Sequence, residues 1–500
     1  MGHIFFRAIK YQLYLLQLEN YELTRFFKLL FKKGFWPKGE QRKELVWTMK
    51  ALLIFGLAEV LILGLSSVFA YWIFLNVLEN TAATVVMLIA IFFILQILGF
   101  LFLSISVILL SPVDWLVKSV IIVRAKSKIK SLDKLKIIGV AGSYGKTTMK
   151  EVLKQVLGSR FKVQATPESV NTPVGIARWA LKNVGLFSPS PQPSPTRGEG
   201  DYNEIAIVEM GEHYRGDVEE ICNIAKPDIA VVTGIDEAHL ERMQTMENII
   251  DTIFEIVSKT KPGALVVLNG DDKNVVDHFK EYVWPDHKLA VYGQQNQESR
   301  IKNQGFNTEK LGWDAEVEGV GKIFINLLGE YGLGDVDAAI KIAKSLGMSN
   351  EDIKRGIANI KPVPHRLQPI RSAGNILVID DSYNGNSEGV KEAIKVLSRF
   401  ANRRKIFITP GLVETGKAII DVHKEIGRQL ATVADVVILI RNSVSGYIES
   451  GIKNQELRMG VKKPEIIIFD SATEAHAALG KILKPNDVIV FQNDWGDQYI

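Results

Sequence analysis

The sequence predicts an α/β protein: a central domain with a parallel sheet and a phosphate-binding loop, a Rossmann-like C-terminal α/β domain, and ahead of both a two-helix transmembrane hairpin. Three observations carry this. Two long apolar runs stand in tandem near the N-terminus. From Lys134 onward, short apolar runs alternate with helical patterns. A glycine-bearing loop ending Gly-Lys-Thr-Thr joins the first such run to its helix. The 500 residues leave room for about three domains. An apolar share of 47% against 23% charged excludes general disorder. The single cysteine, Cys222, excludes a disulfide framework and any cysteine-only metal cage.

The N-terminal third, residues 1–133, is basic: 15 Lys/Arg against 8 Asp/Glu, whereas the rest of the chain holds 45 against 48. That excess accompanies the most apolar sequence, which points to a membrane and not to nucleic acid. Residues 51–78 carry one charge, Glu59, and residues 82–110 carry none. Each run exceeds the ~20 residues that span a bilayer. Glu79-Asn80-Thr81 between them predicts a hairpin. Ten Lys/Arg in 1–50 and five between Lys118 and Lys130 place both ends, and the domains that follow, in the cytoplasm at the cytoplasmic membrane. Residues 4–33 mix Phe, Tyr and Leu with Lys and Arg, the pattern of an interfacial helix; a cap packed on the membrane helices is the alternative. Glu59 is expected to bond Gln96 or Ser104 across the hairpin.

The α/β reading rests on LKIIGVAG, NEIAIVEMG, DIAVVTGI and ALVVLNGDD in a central domain over 134–366, then NILVIDDS, RKIFITPG, ADVVILI, EIIIFD and DVIVFQND in a C-terminal domain over 367–500. Continuous apolar strands alternating with helices imply a parallel sheet covered on both faces. Residues 187–201, rich in Pro, Ser and Gly, read as a solvated, disordered insert.

Gly142-Ser143-Tyr144-Gly145-Lys146-Thr147-Thr148 carries the chemistry. Glycines let backbone N–H groups wrap phosphate, the helix start adds its dipole, Lys146 reaches the β- and γ-phosphates, and Thr147 can hold Mg²⁺. Three further points fall at the carboxyl ends of strands, where open α/β sheets bind ligands: Glu209, His239, and Asp380-Asp381. Asp236-Glu237-Ala238-His239 spells a helicase box, but no arginine-rich helicase motif follows. A guanine-reading Asn-Lys-x-Asp is also missing.

Together these segments resemble the Mur ligase family, the ATP-dependent amide ligases of peptidoglycan precursor synthesis, over about residues 134–500. GSYGKTT looks like the family P-loop. Asn171–Ala177, the VEMG containing Glu209, and AHLE with His239 follow in the family's order. LNGDD, with Asn269–Asp272, is similar to the nucleotide segment, and His365-Arg366 to the ATP-contacting arginine. Asp380-Asp381-Ser382-Tyr383-Asn384-Gly385-Asn386, with Pro410–Gly416 and His423, resembles the member that adds D-alanyl-D-alanine to a UDP-linked precursor.

The resemblance implies ATP and Mg²⁺, the metal held by Thr147, Glu209 and His239, with Lys146, Glu209 and His239 catalytic and Asn269, Arg366 and Asp381 on the nucleotide. It implies a soluble or lipid-linked peptidoglycan precursor as acceptor, an amino acid or dipeptide as amine, and membrane lipid around the hairpin. The chain departs from the family at Ile253, where a carbamylated lysine is usual two residues before Glu255. It departs also at Gly329–Asp335, where GxHNxxN is expected, and at Phe491–Trp495, where KGSR is. The membrane hairpin takes the place of the UDP-gripping domain. These departures support an alternative: a catalytically weak, membrane-tethered nucleotide-binding or scaffold protein.

Overall fold

The computed structural model describes residues 2–37, 45–76, 81–185, 204–237, 240–293, 300–383, 385–412, 418–459 and 464–492. The insert at 187–201, His239, Asn384, Val413–Gly416 and Asn493–Trp495 lie outside the described residues. The chain forms two compact units, Met1–Val120 and one running from Ile121 to Gln498.

The first unit is helical: α1 (Gly2–Leu18), α2 (Leu23–Lys33), α3 (Met49–Asn76), α4 (Thr81–Ile97) and α5 (Gly99–Lys130), whose last turns belong to the second unit. Residues 4–33 are therefore two helices and not one. Asn20 and Tyr21, at φ 52° and 66°, break them. Ile9, Leu13 and Leu16 of α1 are fully buried with Ile54 and Ile62 of α3, so α1 packs on protein, as the cap alternative expects.

The second apolar run is also corrected. It does not form one helix over 82–110 but breaks at Leu98 and continues to Lys130. Leu101 N–H bonds Leu98 O and not Ile97 O. The buried Gln12 amide donates to the freed Ile97 carbonyl at 3.0 Å. A Cβ on Gly99 would stand 2.9 Å from Ile9 and 3.0 Å from Gln12, so α1 sits where only glycine fits. The 17 residues of α4 reach about 25 Å, short of a bilayer core. Among the described residues, α3 and α5 are the helices long and apolar enough to cross one. Glu59 accepts from Gln96 Nε2 at 3.0 Å, as expected, while Ser104 bonds Phe100 O in its own helix.

The second unit begins with β1 (Leu135–Ala141), α6 (Lys146–Leu157), β2 (Lys162–Ala165), α7 (Pro173–Asn183), β3 (Glu204–Glu209), α8 (Asp217–Ile224) and β4 (Ile229–Val232). It continues with α9 (Leu240–Met243), α10 (Met246–Ser258), β5 (Leu265–Asn269), α11 (Lys273–His278) and β6 (Lys288–Tyr292). The six strands form one parallel sheet in the order β2-β3-β1-β4-β5-β6. All four residues of β4 are buried, as a strand covered on both faces requires. The β1 neighbours are β3 on one side and β4 on the other. The loop after β1 thus opens at the point where strand order reverses, the place such sheets bind ligands.

Three antiparallel strands follow, β7 (Ile301–Asn307), β8 (Gly312–Val317) and β9 (Gly321–Ile325), then α12 (Tyr331–Ser345) and α13 (Asn350–Ala358). One sheet face buries Met149, Leu153 and Val156 of α6 with Val336 and Ile340 of α12. The other buries Trp179, Ile221, Ile253 and Phe254 from α7, α8 and α10.

The last part holds β10 (Gln368–Ser372), β11 (Ile376–Asp381), α14 (Ser387–Ser398), β12 (Lys405–Thr409), α15 (Ile419–Val433), β13 (Val436–Ile440), α16 (Ser445–Met459), β14 (Glu465–Phe469), α17 (Ala472–Ile482) and β15 (Val488–Gln492). Its sheet, in the order β10-β11-β15-β12-β13-β14, is mixed, because the edge strand β10 runs antiparallel to β11. Polar, largely exposed β10 has no apolar run to announce it. The region of the three-stranded sheet and the C-terminal sheet share a core. Leu311, Leu328 and Leu367 are buried with Leu377, Leu397 and Phe407, and Arg399 lies 4.4 Å from the Trp313 ring centre.

Candidate functional site

The loop after β1 is pinned to the end of β4. Ser143 and Tyr144 N–H groups reach Gly234 O at 2.7 and 3.4 Å, and the Thr233 hydroxyl donates to Tyr144 O at 2.5 Å. Close approach dictates the glycines. A Cβ on Gly142 would stand 2.1 Å from Thr233 Oγ1, and one on Gly234 2.0 Å from the Tyr144 ring. Tyr144 donates to Asp272 Oδ2 at 2.6 Å. Its hydroxyl is held protonated by burial and by that carboxylate. Gly145, left-handed at φ 82°, is the N-cap of α6 and has no side chain to cap the opening turn. The N–H groups and dipole of that turn therefore face the loop, where an anion is favoured.

Lys146, Thr147 and Glu209 are brought together. Glu209 ends β3 in register with Val140 of β1. Both its oxygens lie 3.2 Å from Thr147 Oγ1, and Oε2 lies 2.9 Å from Lys150 Nζ. Lys146 turns back: its ammonium donates to Gly142 O, to Ser143 O at 3.4 Å, and to Glu212 Oε1 at 2.7 Å. Thr148 is buried beneath. The oxygen donors Thr147 and Glu209 suit Mg²⁺, and the glycine cradle with its uncapped helix start suits polyphosphate.

Asn269 ends β5, where its Oδ1 accepts from Asp271 N at 3.0 Å and shapes the turn into α11. Arg366 and Asp381 form a second cluster. Arg366 donates to Tyr383 O at 2.5 Å and stacks 4.8 Å from that ring, and Leu367 N donates to Asp381 Oδ1 at 3.2 Å. Burial pushes the Asp381 carboxyl up to about 6, with Arg366 opposing. Tyr383 Oη and Ser169 Oγ, 2.5 Å apart, tie this cluster to the central sheet's loops. Between the two regions lies a cleft of about 610 Å³, lined by Tyr144, Asp272 and Asn274 on one side and by Glu388, Lys391 and Arg428 on the other. Neither Lys146 nor Arg366 nor Asp381 lines it.

Two residues of this arrangement escape sequence reasoning, Lys150 and Glu212, whereas Asp272 lies in the LNGDD segment already singled out. Each of the two leaves a faint signal. Lys150 follows Lys146 by one helical turn, and Glu212 follows Glu209 by three residues. At the usual carbamylated-lysine position, Ile253 is fully buried in the core. Glu255 caps α8 instead, accepting from Gly216 N at 3.1 Å and Glu219 N at 2.8 Å.

A parallel sheet with a phosphate-binding loop at its switch point, joined to a second α/β region, defines a P-loop nucleotide-binding protein of two α/β domains. Comparison with known proteins narrows the class. Residues 140–343 match the Mur ligase middle domain and residues 365–492 the Mur ligase, glutamate ligase domain. The chain belongs to the Mur ligase family and is an ATP-dependent amide ligase of that type. A UDP-N-acetylmuramoyl-tripeptide–D-alanyl-D-alanine ligase of Bacillus subtilis is 24% identical over 367 residues, 70% of this chain and 75% of the relative. The enzyme of that name from Escherichia coli is 24% identical over 295 residues, 58% of this chain and 61% of the relative. The crystal structure of MurF ligase from Thermotoga maritima in complex with ADP superposes with a TM-score of 0.61 at 24% identity, covering 75% of this chain and 80% of that one.

Proposed function

We propose that the protein is a membrane-anchored, MurF-like ligase that joins D-alanyl-D-alanine or a related amine to a peptidoglycan precursor at the cytoplasmic face of the membrane. The observation that carries the reading is the Lys146–Thr147–Glu209 constellation at the sheet's switch point, in a chain whose relatives bear that activity. The acceptor carboxylate attacks the γ-phosphate of ATP, giving an acyl phosphate and ADP. The amine then attacks the acyl carbon, an amide forms, and phosphate leaves.

Phosphoryl transfer asks the protein mainly for positioning and charge neutralisation. Lys146 supplies a cation to the phosphates, and Thr147 and Glu209 would hold Mg²⁺, which adds neutralising charge when bound. His239 is assigned to orient metal or phosphate. Arg366 and Asp381, at and beyond the domain boundary, would reach the nucleotide only when the domains close, which would keep water from the acyl phosphate. α3 and α5 cross the membrane, with the basic flanks inside. Where the UDP-gripping domain would stand there are helices, which favours an acceptor presented on lipid.

The test is phosphate release by detergent-purified chain with ATP and Mg²⁺, with and without UDP-MurNAc-tripeptide and D-alanyl-D-alanine, and with a lipid-linked acceptor in parallel. Release that needs both acceptor and amine, and that Lys146→Ala abolishes, is expected. Rapid hydrolysis indifferent to any acceptor would refute it, and equal use of soluble and lipid-linked acceptors would remove the lipid preference. A second reading, a weakly catalytic nucleotide-binding scaffold, has the burial of Ile253 in its favour. It predicts partner binding that survives Lys146→Ala.

A further inference from the structure

The lysine of the phosphate loop is fully occupied. Three acceptors, Gly142 O, Ser143 O and Glu212 Oε1, surround its ammonium, which has three N–H donors. Glu212 is only 2% exposed, and its second oxygen, Oε2, is buried with no hydrogen-bond partner. A buried carboxylate oxygen left in that state is costly unless a cation or donor reaches it in another state of the molecule. Beside it, Glu209 is paired with the fully buried Lys150. Two carboxylates thus face two ammonium groups and the local charge cancels. Among the described residues no group of three acidic or histidine side chains stands ready to hold a metal.

We infer that Glu212 is a ligand for the nucleotide's Mg²⁺, masked by Lys146 until polyphosphate draws the lysine away. This rests on the ATP-binding reading. When Lys146 moves to phosphate, Glu212 is left buried, charged and next to an anion. Carboxylate and phosphate repel each other at that range unless a divalent cation lies between them. The cation therefore enters with the nucleotide and takes the lysine's place beside Glu212, adding its charge near that of Thr147 and Glu209. Metal-free nucleotide would bind poorly, and metal alone would not bind.

The experiment is calorimetric titration of ADP into the detergent-purified full chain, with Mg²⁺ or with chelator, for the unmodified protein and Glu212→Gln. The unmodified chain should bind Mg-ADP far better than ADP. Glu212→Gln should bind metal-free ADP more tightly, because Lys146 is released, and should lose about tenfold of the Mg²⁺ enhancement. A second measurement does not depend on nucleotide. Lys146→Met unmasks Glu212, so Mn²⁺ alone should bind, read by its electron paramagnetic resonance signal, and adding Glu212→Gln should remove that binding. An Mg²⁺ enhancement that Glu212→Gln leaves unchanged, or a Lys146→Met chain that takes up no Mn²⁺, would overturn the inference. Failure of the unmodified chain to bind Mg-ADP would overturn the ATP-binding reading itself.

Discussion

Lys150 is fully buried, and its ion pair with Glu209, at 2.9 Å, sits under the phosphate loop. Lys150→Met keeps most of the aliphatic stem and removes the charge, so packing is nearly conserved. What changes is Glu209, whose side chain is 8% exposed and would become a buried carboxylate without its counter-ion. Breaking one side of such a pair costs about 3–5 kcal/mol. Glu209 keeps the Thr147 hydroxyl at 3.2 Å, which places the expected loss near the lower end, about 3 kcal/mol. That corresponds to a fall of roughly 5–10 °C in the unfolding midpoint of the α/β unit. The assay is thermal unfolding of the detergent-purified chain followed by intrinsic fluorescence, with amide exchange in β3 and α6 to localise the loss. Lys150→Met with Glu209→Gln removes both charges and should recover all but about 1 kcal/mol. A single substitution costing under about 1 kcal/mol, or a double no more stable than the single, would refute the claim that this pair is electrostatically coupled in the core.

Three further outcomes follow from the same geometry. Gly234→Ala puts a methyl 2.0 Å from the Tyr144 ring, so it should cost about 1–3 kcal/mol and weaken ADP binding, and Tyr144→Ala added to it should restore the thermal midpoint. Ile253→Lys, which supplies the family's usual residue, places an amine in a fully buried apolar site; it should lower the urea midpoint by at least ~2 kcal/mol, and a faster ligase of unchanged stability would contradict the packing. Asp381 is an acid whose carboxyl is pushed up to about 6 by burial, so the native state holds its proton more tightly than the unfolded chain. Its effect on stability is therefore most favourable below about pH 4 and declines by up to about 3 kcal/mol as pH rises through 6. Asp381→Asn should flatten that part of the stability–pH profile, and an unchanged slope would contradict the burial argument.

Much of this molecule is legible in the chain. Every strand announced by a continuous apolar run is present, from Leu135–Ala141 to Val488–Gln492, because a parallel strand covered on both faces can tolerate little else. The strands that left no such run are the ones on edges or with one wet face. Lys162–Ala165 and Gln368–Ser372 are short, polar or at a sheet edge, and Ile301–Asn307 is mostly exposed. The loop Gly142–Thr148 was also legible, since glycine, lysine and hydroxyl at fixed spacing between strand and helix have few other uses.

Tertiary structure decided what depended on contacts distant in sequence. The apolar run breaks at Leu98, and Gln12, 85 residues from Ile97, supplies that residue's carbonyl with the hydrogen bond that makes the break tolerable. Within the residues that read as an interfacial helix, α1 packs on protein, because amphipathic spacing fixes which face is apolar but not whether lipid or protein covers it. Lys150 and Glu212 look like ordinary charged residues on a helix and after a strand. Only the register that sets β3 beside β1 turns them into the counter-ions of Glu209 and Lys146. The sequence by itself determined the elements and the phosphate loop, because backbone periodicity and local turn chemistry are short-range. The charge pairs that set the state of that loop were decided by folding, because an ion pair buried away from water exists only once the strands that carry it are neighbours.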